Sequence, residues 1–430
     1  MALPSMAADS GGLYEALQLE PFIHQVGGHS SMLQLDDETI CKPLISQELN
    51  FYKSAPDSLR EFMAEYKGVI EVTFSEAIDG HIDVVTYLPA NYKTSSSKPG
   101  SRQNSITECE RKAKHRIKLC QSGNIKIESV TGADDSKAEN IGQEKLQNGS
   151  LPNPWVLHCH QKQMQKMRSD SNISQKYILL ENRVSKYEFP CILDIKMGTR
   201  QYGDTAPPAK RQSQTVKAAT STSPTLGVRI SGMQVYHRES KHYICHNKYY
   251  GHRLNVDGFH KTLYKFLHDG TKLRYNIITA LLEKLHKLYS TVQNLNTFRF
   301  FTSSLLIIYN GSEQCCVGNE NNTDCEASSG LKLTDNGNIE KNKKLLDSQS
   351  KSCDKCSVPS DIIYRNHVPQ CRSKFSDHVP LVDLCMIDFA HATHNQMPNC
   401  PFKHDGPDEG YLFGLKNLIA HLEIIQQSEK

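Results

Sequence analysis

No run of eighteen apolar residues occurs in this 430-residue chain, and its opening "MALPSMAADS" lacks the apolar core of a secretory leader. A soluble, intracellular protein with no membrane span is therefore expected. Charge of one sign is also lacking. Fifty basic against 47 acidic residues leave a net +3, which excludes a chain that binds nucleic acid through its overall charge. Fourteen cysteines are too few for a disulfide scaffold at this length, so reduced thiols are expected. Cys353 and Cys356 have metal-ligand spacing but no second pair, and His158-Cys159-His160 is equally unsupported. No repeat of 20 to 50 residues emerges.

Aromatic residues are absent from Lys93 to Pro154 and again from Asn310 to Ile363. These stretches are rich in Ser, Lys, Asn, Asp and Gly, a composition that buries too little apolar area to offset chain entropy. Disordered insertions are expected at about 93–154 and 310–363, where protein partners would be recruited. "ERKAKHRIK" (Glu110–Lys118) reads as a solvated charge run or a nuclear address, so a cytoplasmic or nuclear location, or both, is expected.

The remaining sequence is patterned. "EPFIHQVGGHSSMLQL" reads as a hairpin around Gly27-Gly28, "ETICKPL" as a strand, and "ISQELNFYKS" as a helix capped by Ser46. A helix over Asp57–Lys67 and strands at "GVIEVTF", "HIDVVTYL" and "KYILLEN" follow. Beyond them come a hairpin ("GVRISGMQVYH", "YICHNKYYG"), helices at "DGFHKTLYKFLHDG" and Leu273–Leu295, two apolar strands, and a closing helix over Tyr411–Ile425. The class is α+β in two lobes. Residues 1–18 read as a flexible tail, 19–181 as the N-lobe and 182–430 as the C-lobe.

Charged residues interrupt the apolar strands. In "PCILDIKMGTRQYGD", Asp194 and Lys196 share one strand face and Gly198 follows, a pattern that suits a buried ion pair or a charged ligand. Asp388 ends the apolar "LVDLCMIDFA". Lys42 stands in a strand six residues before Glu48. Together these match a nucleotide site: Lys on phosphates, Glu orienting Lys, Asp holding Mg2+. From Lys196 to Lys217, the basic residues Lys196, Arg200, Lys210, Arg211 and Lys217 face one acid, Asp204. A helix starting near Pro207 puts Lys210, Gln214 and Lys217 on one face. With only Tyr202 available for stacking, a compact phosphorylated small molecule fits this segment (196–220) better than nucleic acid.

"PCILDIKMG", "SSLL" (Ser303–Leu306) and "IDF" (Ile387–Phe389) resemble, in order, three marks of the inositol polyphosphate kinases. "EPFIHQVGGH", "MGTRQYGD", "GVRISGMQVY" and "GPDEGYLFGLKNL" are similar to its inositol hexakisphosphate kinase branch. The resemblance implies a two-lobed, protein-kinase-like fold and transfer from ATP, with Mg2+, to inositol hexakisphosphate, giving a pyrophosphate-bearing product. Alternatives are a kinase for less phosphorylated inositols and a non-catalytic polyphosphate scaffold. By the same resemblance Lys42 contacts phosphates, Glu181, Asn182 and Arg183 form the adenine hinge, and Asp194 binds ribose. Asp388 holds the metal, and Lys196 bridges the acceptor and the transferred group. Lys210 to Lys217 grip the inositol phosphates, with Lys248 and His391 as further contacts. Arg183 departs from the apolar residue common at the hinge.

Overall fold

The computed structural model describes residues 14–28, 30–77, 80–89, 115–120, 125–129, 153–167, 174–312, 362–365, 382–398 and 402–428. Its first half contains β1 (Tyr14–Gln18), β2 (Glu20–Pro21), β3 (Leu33–Asp36), β4 (Thr39–Pro43), α1 (Ser46–Ser54) and α2 (Asp57–Arg60). There follow β5 (Tyr66–Glu76), β6 (His81–Pro89), β7 (His115–Leu119), β8 (Ile125–Ser129), α3 (Pro154–Met167) and β9 (Ser174–Glu181). The strands form one antiparallel sheet, ordered β2-β3-β4-β9-β5-β6-β7-β8, with β1 paired to β6. Two-residue periodicity explains its buried face. Ile70, Val72 and Phe74 of β5 join Tyr177 and Leu179 of β9, and Met164 of α3 packs on them.

The second half begins with β10 (Pro190–Met197), α4 (Pro208–Ala219), α5 (Ser223–Leu226), β11 (Val228–His237), β12 (His242–His246) and α6 (Lys248–His252). It continues through α7 (Val256–Phe266), α8 (Tyr275–Gln293), β13 (Ser304–Asn310), β14 (Ile362–Arg365) and β15 (Val382–Ile387). A single 3-10 turn, Phe389–His391, and α9 (Glu409–Gln427) complete it. The sheet order is β14-β12-β11-β10-β13-β15, antiparallel throughout. Helical periodicity puts Leu281, Leu285 and Leu288 of α8, and Leu415, Leu418 and Leu422 of α9, into the core beside β10, β13 and β15. Although α1 follows a strand of the first sheet, its apolar face packs with the second core. Phe51 stacks on Phe389 with ring centroids 4.5 Å apart.

Four local expectations are corrected. Residues 14–18 are a sheet strand, not a tail. Within the expected insertion at 93–154, β7 and β8 form a hairpin that extends the sheet, because alternation in "HRIKL" and "IKIES" buries Ile117 and Ile125. Helix α3 is an element that the apolar periodicity does not predict. The helix over Asp57–Lys67 stops at Arg60, because the Phe62 carbonyl accepts from Met386 N–H and draws the chain along β15. Ser46 lies inside α1, whose N-cap is Ile45. Residues 313–361, including Cys353 and Cys356, lie outside the described residues. Among the described residues no helix is long and apolar enough to cross a membrane.

Candidate active site

The charged residues that the apolar pattern could not explain lie on β10 and at the end of β15, the two neighbours of β13. Lys196 of β10 is in register with Ser304 of β13, and Ser304 with Ile387 of β15, one residue before Asp388. The side chains meet there. Asp388 accepts from Lys42 Nζ on one oxygen (2.8 Å) and from Lys196 Nζ on the other (2.9 Å). Glu48 of α1 accepts from Lys42 Nζ at 2.7 Å and from the backbone N–H of Phe389 at 3.0 Å. Glu48 is 1% exposed, which sets the position of Lys42 on its strand. The result is an alternating chain of charge: Glu48, Lys42, Asp388, Lys196.

Burial alone would raise the pKa of Asp388, but Lys196 and Lys42 outweigh it and hold the carboxyl well below the usual range. Burial likewise opposes the charge on Lys42, and Asp388 and Glu48 overcome it, so its pKa lies above the ordinary lysine value. Asp388 adopts φ 67° and ψ 58°, left-handed backbone that a non-glycine residue enters at a cost. That turn brings its carboxylate between the two lysines as β15 ends.

Asp194 is the opposite case. It is 2% exposed, its Oδ1 has no hydrogen-bond partner, and burial raises its pKa to about 6 despite Lys196. The Gly27 backbone lies directly over it: a Cβ on Gly27 would come within 2.0 Å of Asp194 Oδ2. Cross-strand from Asp194, Gly232 leaves room for the Val26 carbonyl, which a Cβ there would approach to 2.0 Å. These glycines let the loop between β2 and β3 close over β10 and β11. Beneath the loop lies a cleft of about 320 Å³ that includes Ile40, Val184, Ile192 and Ile308 as apolar walls and Lys42, Asp194, Lys196 and Asp388 as polar groups. Lys248 and His391 reach the same cleft.

The segment expected as the adenine hinge, Glu181 to Arg183, closes β9 and leads out of it. The N–H groups of Glu181 and Asn182 donate to the Glu65 and Glu38 carbonyls, so both are committed within the protein. The Arg183 guanidinium is engaged within the protein. It makes a two-point contact with Asp383 of β15, at 2.5 and 2.9 Å, and Lys186 joins the same carboxylate at 3.0 Å.

The basic residues of 196–217 divide. Lys210 is exposed and approaches His391 Nε2 at 3.4 Å; Lys217 is exposed, and Gln214 is half-buried between them. His391 packs against Gly203, and burial with the nearby Lys210 and Lys196 lowers its pKa. Arg200 instead bonds Asp204 (2.7 Å), lies 3.9 Å over the Phe301 ring and lines a separate cavity with His404. Arg211 donates to the carbonyls of Ala206 (2.7 Å) and Asp204 (2.6 Å), bracing the loop before α4. Neither guanidinium is directed at the cleft by these bonds.

Two further groups, not singled out by motif or spacing, lie beside Lys196. Arg229 of β11 is in register with Lys196, and burial lowers its pKa. A guanidinium between Val228 and Ile230 is the same anomaly as Lys196 in its strand, and was the available signal. The Thr302 carbonyl accepts from Lys196 Nζ at 2.6 Å, giving the "SSLL" segment a positioning role. Ser303 Oγ turns back to the Phe300 carbonyl, and the buried Ser304 hydroxyl lies beside Asp194 and favours its ionised form.

For Mg2+ the donor set fits. Among the described residues no group of three or more His, Cys, Asp or Glu gathers as a metal cage. Mg2+ needs none, since one or two carboxylates commonly hold it with phosphate and water oxygens. Asp388 supplies one such carboxylate in the cleft.

A family model described as inositol polyphosphate kinase matches residues 177–423, a span that leaves α3 outside. Inositol hexakisphosphate kinase 1 of Homo sapiens is 39% identical over 97% of this chain and 95% of its own length. Inositol hexakisphosphate kinase 3 of Homo sapiens is 33% identical, covering 98% and 99%. Among solved structures, inositol phosphate multikinase from S. cerevisiae in complex with ADP and Mn2+ covers 90% of this chain and 98% of that one, at 18% identity and a TM-score of 0.45.

Proposed function

The chain belongs to the inositol polyphosphate kinase family, and on that premise we propose that it phosphorylates inositol hexakisphosphate from ATP with Mg2+, forming a diphosphoinositol product. The observation that carries this reading is the Lys42–Asp388–Lys196 cluster at the floor of a cleft that continues to Lys248 and His391.

The apolar walls take the adenine, and the Asp194 carboxylate, which lines the cleft, accepts from a ribose hydroxyl. With the Glu181 and Asn182 N–H groups committed, the Arg183 N–H is left as the hinge donor. Glu48 holds Lys42 against the nucleotide phosphates. Asp388 is the residue that would hold Mg2+, which when bound neutralises phosphate charge as a Lewis acid. Lys196 releases one of its two contacts, to Asp388 or to the Thr302 carbonyl, and bridges the acceptor and the transferred group. Lys210, Gln214, Lys217, Arg229 and Lys248 hold the remaining phosphates.

Every ring hydroxyl of inositol hexakisphosphate is esterified, so a phosphate oxygen attacks, already ionised at neutral pH. No strong base is required. The residues contribute positioning and charge neutralisation. A kinase for less phosphorylated inositols would attack through a free hydroxyl and need such a base. A non-catalytic scaffold would have no use for Lys42, Lys196 and Asp388 held together. Buried thiols at Cys41, Cys191 and Cys385 favour a reducing compartment, the cytoplasm or nucleus.

The test is to incubate the protein with ATP, Mg2+ and inositol hexakisphosphate and resolve products by charge. A product more anionic than the acceptor is expected. Transfer confined to acceptors with free hydroxyls would overturn the proposal.

A further inference from the structure

Helix α3 touches both halves of the cleft. On one side it holds the glycine loop: Trp155 Nε1 donates to the Gly28 carbonyl at 3.2 Å, and Ser31 Oγ bonds Gln163 at 3.0 Å. On the other, the Lys248 ammonium lies 5.3 Å from the Trp155 ring centre. His158 packs on the same indole, centroids 4.6 Å apart. Trp155, His158 and Lys162 fall at i, i+3 and i+7, one stripe of the helix beside α6. Lys162 is exposed, and His158 is half-buried beside it.

The electrostatic setting is one-sided. The sequences of α3, α4 and α6 contain no Asp or Glu. Lys162 and Lys248 both act on His158, and Lys217 and Arg229 act with Lys248 on His252. Cations from α3, α4, α6 and β11 therefore converge, each disfavouring its neighbours' charge. A ligand with anions around its whole rim would relieve that repulsion.

We propose that α3 is a wall of the acceptor site. Lys162 and His158 bind phosphates on the edge of the inositol ring remote from the reacting phosphate, and so favour the fully phosphorylated ring. This rests on the function proposed above and adds an element lying outside residues 177–423.

The test uses the full chain with Lys162→Ala, His158→Gln and the double variant. Each substitution should raise KM for inositol hexakisphosphate about threefold to tenfold, as for a half-exposed charge-assisted contact, with KM for ATP unchanged. The double variant should also lose preference for the hexakisphosphate over inositol pentakisphosphates. Trp155 is the sole tryptophan, so its emission should change on titration with inositol hexakisphosphate alone, at a midpoint the variants move upward by the same factor. Unchanged acceptor KM and midpoint would overturn the inference. So would an equal rise in both KM values, which would mean that α3 acts only through the glycine loop. Failure of the wild type to phosphorylate inositol hexakisphosphate would overturn the proposed function as well, whereas wild-type turnover with unaffected variants overturns only this inference.

Discussion

Asp194→Asn should stabilise the protein and weaken its use of ATP. The carboxyl is 2% exposed, one oxygen lacks a partner, and burial raises its pKa to about 6 from an ordinary value near 3.9. Because the folded value is the higher one, the native state binds this proton more tightly than the unfolded chain does. Stability from Asp194 is complete below about pH 4 and is lost as pH rises through 6. A shift of about two units corresponds to roughly 3 kcal/mol, an upper figure for what the ionised carboxylate costs the ligand-free protein at pH 7. Asparagine keeps an oxygen acceptor but carries no charge. Urea midpoints for wild type and variant, taken from pH 4 to 7.5 without nucleotide, should diverge in the variant's favour and level off near pH 7. In kinetics, KM for ATP should rise about tenfold, since a charge-assisted bond becomes a neutral one. A stability difference that stays flat across this range would refute the assigned burial cost. Unchanged KM for ATP would remove Asp194 from the nucleotide site.

Asp388→Asn should lower turnover at least about a thousandfold while circular dichroism stays native, because Lys42 and Lys196 lose their shared anion and the metal its carboxylate; near-normal rates at saturating Mg2+ would exclude this role. Lys210→Ala and Lys217→Ala should each raise KM for the inositol substrate about tenfold, by an amount that shrinks in high salt, and leave KM for ATP unchanged. Arg183→Met should cost about 3 kcal/mol in denaturant unfolding, the low end for a broken buried pair because Lys186 still reaches Asp383. A loss below 1 kcal/mol would show that the guanidinium does not tie the hinge to β15.

Where the chemistry resides is legible in the amino-acid sequence. Asp194, Lys196 and Asp388 interrupt apolar strands, and a charge in such a place needs a physical reason strong enough to be visible without coordinates. Helical and strand periodicity likewise placed β5, β6, β10, β11, α7, α8 and α9, whose buried faces are long and regular. Short or lightly apolar elements were not legible. The hairpin β7–β8 buries Ile117 because β6 offers an edge, and α3 is held by Trp155 and Met164 against a loop and a sheet remote from it in the chain. Only the tertiary structure decided which basic residues are available to a ligand. Composition counts Arg200 and Arg211 alike with Lys210 and Lys217, yet the two guanidiniums are engaged by Asp204, Phe301 and loop carbonyls. Availability depends on what else lies within hydrogen-bond reach, and those neighbours are set by packing between segments distant in sequence.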